Sequence, residues 1–223
     1  MNVKKNSCAI LLSIGIFCMV VACSSKPTVP ETWEGLVLEP SELFTAVYVL
    51  PDVEFPRYRS VLIDAVEVEF DDQWDADTAA EKLASEFTPE ALDSLEDEMA
   101  VEFRRIFAAE LRRGGYQLVE VSGADTVRLS PSLIDIYNNE PVDISRGSPG
   151  TYMVQAARMT LVMDLQDGLS GQRLARVVDQ QAGARTVFPE LSDSVAKTPG
   201  FRAAVAGWAV QLREGLDSLE VRP

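Results

Sequence analysis

Two periodicities divide the chain. Val66, Val68 and Phe70 alternate with Glu67 and Glu69, the period of two expected of a strand with one wet face. The whole stretch from Tyr58 to Phe70 therefore predicts a strand, which Asp71-Asp72 ends. Thr45 to Leu50 predicts a short strand stopped by Pro51. Tyr116 to Val121 and Thr126 to Tyr137 predict two more, with Pro131 marking an edge or a bulge in the second. Gln155 to Leu165, a turn over Gln166 to Gly171, and Gln172 to Ala182 predict a long hairpin. In its first arm Met159, Leu161, Met163 and Leu165 alternate with Arg158, Thr160 and Asp164.

A second periodicity is helical. Leu92, Leu95, Met99, Phe103, Ile106 and Phe107 recur at steps of three and four, with Asp93, Glu96, Asp97, Glu102, Arg104 and Arg105 turned outward. Thr88-Pro89-Glu90 supplies a cap, a proline in the first turn and an early acid, and Arg112-Arg113-Gly114-Gly115 a basic, glycine-capped end. Val205, Trp208, Leu212, Leu216 and Leu219 predict a second helix over Phe201 to Leu219. Strand, helix, several strands and helix, in that order, predict an α+β fold. Its form is a mostly antiparallel sheet with two main helices packed on one face.

The N-terminus follows a different rule. Lys4 and Lys5 precede an uncharged, apolar or small run from Cys8 to Ala22, and Cys23-Ser24-Ser25-Lys26-Pro27 follows. A basic start, a short apolar core and small residues at the cut describe a secretory signal. The run is short of the roughly 20 apolar residues of a membrane-spanning helix. Val20-Val21-Ala22-Cys23 resembles a bacterial lipobox, with Val20 where leucine is commoner. That resemblance implies cleavage between Ala22 and Cys23, and a diacylglycerol thioether and an N-acyl chain on Cys23. More than one acyl chain makes such anchoring stable. Ser24, where aspartate would signal inner-membrane retention, implies outer-membrane sorting. The expected organisation is a signal peptide over 1–22, a lipidated tether over 23–32 with two prolines, and a single periplasmic domain over 33–223.

Composition narrows the chemistry. About 200 residues remain after cleavage, enough for one domain with a real core. The full chain of 223 residues carries a net charge of −15, and loss of Lys4 and Lys5 makes the mature form more acidic. Such a surface repels nucleic acid and anionic head groups, so the expected membrane contact is the lipid and no nucleic-acid partner is expected. The chain has no histidine and three cysteines. Cys8 and Cys18 leave with the signal and Cys23 is blocked, so no disulfide, zinc site or Cys/His or Ser/His catalytic pair is expected.

What remains is carboxylate chemistry and surface recognition. Glu67 and Glu69 are neighbours on one strand face and cannot flank a scissile bond as a glycosidase pair does. Asp71-Asp72-Gln73-Trp74-Asp75-Ala76-Asp77 offers hard oxygen ligands for calcium but lacks the spacing, glycine and terminal glutamate of an EF-hand. Ser145 to Gly150 has the glycines of a phosphate loop without its lysine or helix. Neither a metal nor a catalytic residue is therefore assigned, and no cofactor beyond the acyl chains is expected. Trp33 and Trp208 read as core. Trp74 and the basic pair Arg104 and Arg105 are the candidate partner contacts, although ion pairing within the helix accounts for most of the arginines.

Trp33-Glu34-Gly35-Leu36, Tyr48, Pro51, Tyr58 to Asp64, Val66-Glu67-Val68, the helix over Leu95 to Leu111 and the hairpin over Asp164 to Leu174 together resemble a bacterial outer-membrane lipoprotein family of unknown function, the domain of unknown function 3313 family. The chain departs from its Gly-Phe-Leu-like opening at Glu34-Gly35-Leu36. The resemblance implies a lipid-anchored outer-membrane protein facing the periplasm and no known catalytic residues to carry over. The expected role is a non-enzymatic module that binds a cell-envelope protein. The alternative is a calcium-dependent glycan binder or carboxylate-dependent hydrolase.

Overall fold

The computed structural model describes residues 30–53, 55–70, 89–138, 152–182, 185–188 and 199–220. The first strands are β1 (Thr32–Trp33), β2 (Leu36–Glu39), β3 (Ala46–Val49), β4 (Ser60–Ile63) and β5 (Glu67–Phe70). Helix α1 (Pro89–Arg113) follows, then β6 (Gln117–Leu118), β7 (Thr126–Asn138), β8 (Tyr152–Asp167), β9 (Arg173–Ala182), β10 (Arg185–Phe188) and helix α2 (Pro199–Glu220). The sheet runs β1-β2-β3-β9-β8-β7-β4-β6, with β5 also beside β7 and β10 beside β8. Every pairing from β1 to β7 is antiparallel, and β4, β5 and β6 add a parallel corner. The fold is the expected α+β class.

Two local expectations are corrected. The strand predicted from Tyr58 to Phe70 is broken at 64–66 into β4 and β5, and both pieces lie parallel to β7. Pro131 is also not at an edge, because β7 is paired on both sides. Leu129 accepts from the backbone N–H of Asp64, so its polar groups, and those of residue 131 two positions on, point toward β4 and β5. The missing proline donor thus falls at the gap between those strands, where no ladder bond is required. The bulge comes later, between Ile134 and Tyr137, where Asp135 has φ of 53°.

Both helices cover one face of the sheet. Met99, Phe103, Phe107 and Leu111 of α1 and Phe201, Val205, Trp208, Leu212 and Leu216 of α2 join Val61, Val127, Leu129, Leu161, Met163 and Val177 in one core. Each large apolar side chain buried there contributes about 1.5–3 kcal/mol. The rings of Phe103 and Phe107 stack at 4.2 Å. Helix α1 ends in a Schellman motif: Tyr116 donates to Leu111, Gly115 donates to Arg112, and Gly115 takes φ of 90°. Asp179 is a charged residue buried beside this core. It accepts from Trp208 Nε1 at 2.8 Å, Thr45 Oγ1 at 2.6 Å, Thr45 N at 3.1 Å and Gln181 Nε2 at 3.0 Å, and so ties α2 and the start of β3 to β9.

Candidate functional site on the open sheet face

The other face of the sheet carries no helix among the described residues, and its polar groups form a cross-strand ladder. Tight hairpin geometry starts it. β1 and β2 are joined by Glu34-Gly35, with φ of 50° and 85°, the two positive values of a type I′ turn. Glycine takes this conformation freely, whereas in glutamate it costs roughly 1–2 kcal/mol. The Glu34 carboxylate offsets that cost by meeting Arg173 Nη1 at 2.5 Å and Arg176 Nη1 at 3.2 Å.

Arg176 is the centre of the arrangement. It lies on β9 opposite Asp164 of β8 and Tyr48 of β3. Its Nε and Nη2 donate to the two oxygens of Asp164 at 2.6 and 2.9 Å, a fork-to-fork pair with both partners buried. Hydrogen bonding to Asp164 raises the guanidinium's already high pKa further, against the opposing effect of burial. Arg173 Nε lies 2.7 Å from Asp164 Oδ2, an ion pair without hydrogen-bond alignment. Trp33 closes the top: the Arg176 guanidinium carbon sits 4.5 Å from its ring centroid, and its edge meets Tyr48 at 5.6 Å and 89°. Tyr48 fixes the strand below by donating to the Pro30 carbonyl. Leu36, Ala46 and Tyr48 form a small apolar cluster under this lid, with Leu38, Leu50 and Val178 packed against it.

The ladder continues across the sheet. Arg128 Nε donates to Asp64, whose other donor is Ser130 Oγ at 2.6 Å, and Ser132 donates to Glu67. Apart from the ladder, on the side of the sheet that carries the helices, Asp167 at the β8–β9 turn accepts from the Ser170 hydroxyl and backbone N–H and from Tyr58 Oη. The Ser170 bonds hold its carboxyl below the usual range, while burial, aided by Asp167, pushes the Tyr58 phenol up. These carboxylates and guanidiniums neutralise and orient one another. Such a surface can present fixed charges, a half-buried indole and hydroxyls to a polar partner. Among the described residues no group of His, Cys, Asp and Glu side chains is placed to hold a metal ion.

The residues singled out in the sequence are distributed differently. Arg104 and Arg105 stand on the outer side of α1, away from the ladder. Arg105 donates twice to Glu102 at 2.7 Å, which holds Glu102 below its usual range, and Arg104 lies 3.5 Å from exposed Glu120. Ala22, Cys23, Trp74, the acidic run 71–77 and the glycine-rich stretch 145–150 lie outside the described residues. Trp208 is the core residue expected, but Trp33 lies over the ladder rather than in the main core. The sequence alone does not single out the pair Asp164 and Arg176, which a hairpin closed at 168–171 sets opposite each other.

A mixed sheet with two helices on one face and a charged opposite face defines an α+β domain without a recognisable catalytic constellation among the described residues. The chain belongs to the DUF3313 family, proteins of unknown function, whose model matches residues 37–212. No curated protein matches the chain. Among solved structures it is similar to the PelC dodecamer from Paraburkholderia phytofirmans, at 13% identity and a TM-score of 0.38, covering 74% of this chain and 96% of that one. It is also similar to a minor lipoprotein from Acinetobacter baumannii, at 11% identity and a TM-score of 0.33, covering 72% and 94%. No described helix is long and apolar enough to cross a membrane.

Proposed function

We propose that the chain is a lipid-anchored module of the outer membrane that binds an envelope protein on its periplasmic side and catalyses no reaction. In this reading Cys23 carries the acyl chains, Ala22 lies on the released side of the cut, and the tether expected over 23–32 shortens to residues 24–29, because the carbonyls of Pro30 and Glu31 accept from Tyr48 and Leu38 of the domain. Fully extended, six residues span roughly 20 Å, which keeps the domain close to the bilayer. The observation that carries the binding role is Glu34. A glutamate held in a left-handed turn, where glycine would fit without strain, points to a requirement for its carboxylate beside Arg173 and Arg176. β1 and its turn supply Trp33 and Glu34, so the segment that follows the tether also builds the recognition face.

The test places a photo-crosslinking residue at Gln180 or Arg128 on the open face of the full-length chain, in cells. A Cys23→Ser version runs in parallel, and the mass of the mature N-terminus is measured. The expected result is an acylated Cys23, a discrete protein adduct from both positions, and loss of that adduct in Cys23→Ser. An unmodified Cys23 would refute the anchor. Absence of any adduct from both positions at native abundance would refute the binding face.

A further inference from the structure

We infer that α1 is a self-association surface, on which two copies of this chain pair antiparallel about a two-fold axis at Val101. Helix α1 runs from Pro89 to Arg113, so Val101 is its midpoint. The residue is 69% exposed and lies on the side away from the core, which is served by Met99, Phe103, Phe107 and Leu111. A valine this exposed halfway along a charged helix is an apolar contact without a partner among the described residues.

The charges on this outward side are segregated rather than mixed. The half before Val101 carries Glu90, Asp93, Asp97 and Glu98, and the half after it Arg104, Arg105 and Arg112. Two copies related by a two-fold through Val101 bring residues at equal distances before and after it to the same height. On the flanks of the contact Asp97 and Glu98 of each copy then face Arg104 and Arg105 of the other, and Glu90 faces Arg112. A parallel pairing would set like charge against like and is disfavoured. The contact is isologous, so it closes at two copies instead of growing into a filament. The antiparallel macrodipoles favour the same orientation. The ion pairs within one copy leave room for this contact, since the Arg105 side chain remains 60% and the Arg104 side chain 44% exposed while held to Glu102 and Glu120. The inference does not depend on the anchor or on the open face.

The experiment uses the full-length chain in envelope membranes, with Val101→Cys and a short bis-maleimide. Leu169→Cys, equally exposed at the far β8–β9 turn, and the unsubstituted chain are the controls. The expected result is a covalent dimer from Val101→Cys that neither control gives, and that weakens as salt is raised. In that background, Asp97→Arg with Glu98→Arg, or Arg104→Glu with Arg105→Glu, reduces the dimer roughly tenfold or more. Combining all four substitutions restores it, as does co-expressing the two oppositely charged variants. The restored four-site dimer also shows that Arg105→Glu has not unfolded the helix. No dimer from Val101→Cys overturns the inference, as does a dimer unaffected by either pair. A dimer lost in the pairs and not regained in the four-site variant overturns the antiparallel register.

Discussion

Replacing Asp179 by alanine tests the claim that one carboxylate fastens α2 to the sheet. Trp208 is fully buried, and its indole N–H reaches Asp179 Oδ2 at 2.8 Å, while Thr45 donates twice to Oδ1. Thr45 is exposed and can turn to water, but the indole cannot. Leaving that donor unsatisfied costs about 1–3 kcal/mol, and losing hydrogen bonds to a charged acceptor costs about 1.5–3 kcal/mol more. The sum, roughly 2.5–6 kcal/mol, is a large share of the about 5–15 kcal/mol that holds a domain folded. Asp179→Asn should fall between, because its oxygen still accepts from Thr45 while its amide would point at the indole N–H. Urea unfolding followed by circular dichroism gives the midpoints, and an unchanged slope keeps the comparison valid. Trp208→Phe, which removes the donor, completes the cycle with a coupling of about 1.5–3 kcal/mol. A loss below about 1 kcal/mol for Asp179→Ala, or additivity of the two substitutions, refutes the fastening role.

Four further outcomes follow from the same geometry. Arg176→Ala leaves Asp164 buried with only Arg173 beside it, so urea unfolding should show a loss of about 3 kcal/mol. Gly168→Ala would place a Cβ 2.6 Å from the Thr126 carbonyl, where backbone cannot yield, and thermal unfolding should register about 1–3 kcal/mol of destabilisation. The carboxyls of Glu102, hydrogen-bonded by Arg105, and Asp167, hydrogen-bonded by Ser170, sit below their usual range. Their stabilisation is complete above the ordinary carboxyl pKa of about 4 and disappears as pH falls through the lowered values, so the urea midpoint should drop there. Glu96 behaves oppositely, because burial and then Asp93 and Asp97 raise its pKa. Glu96→Gln should stabilise the fold at neutral pH, and the difference should vanish below pH about 4.

The helices and the long hairpin were legible because their signals are local. The capping pattern at 88–90 and 112–115 and the three- and four-residue apolar steps give α1 almost to the residue, and period-two alternation gives β8 and β9. What escaped depends on partners distant in the chain. Nothing between Tyr58 and Phe70 announces a break at 64–66, since the break is set by where β7 places a proline. Pro131 points to an edge or a bulge for a sound reason, but an interior strand also tolerates it when the missing donor faces a gap. The open-face ladder was hidden differently. Trp33, an aromatic in a strand-forming stretch, is most simply read as core, and its role appears only when Arg176, far along the chain, is laid over it.

The two proposed surfaces, taken together, have a consequence that neither has alone. The side chains of α1 that enter the core point toward the sheet, so Val101 points away from it, and the ladder of Arg176, Asp164 and Arg128 lies on the opposite face of that sheet. A pair of copies joined through α1 therefore turns both ladders outward, away from the contact. Neither copy shields the recognition face of the other. Two equivalent faces held at a fixed separation engage a repeated partner with avidity beyond that of a single face, with no new contact needed. The consequence is measurable: the charge-reversed α1 pairs should keep the Gln180 adduct but lose its resistance to dilution, and the four-site combination should recover both. An adduct that disappears with the pairs and not with dilution would mean that α1 itself touches the partner.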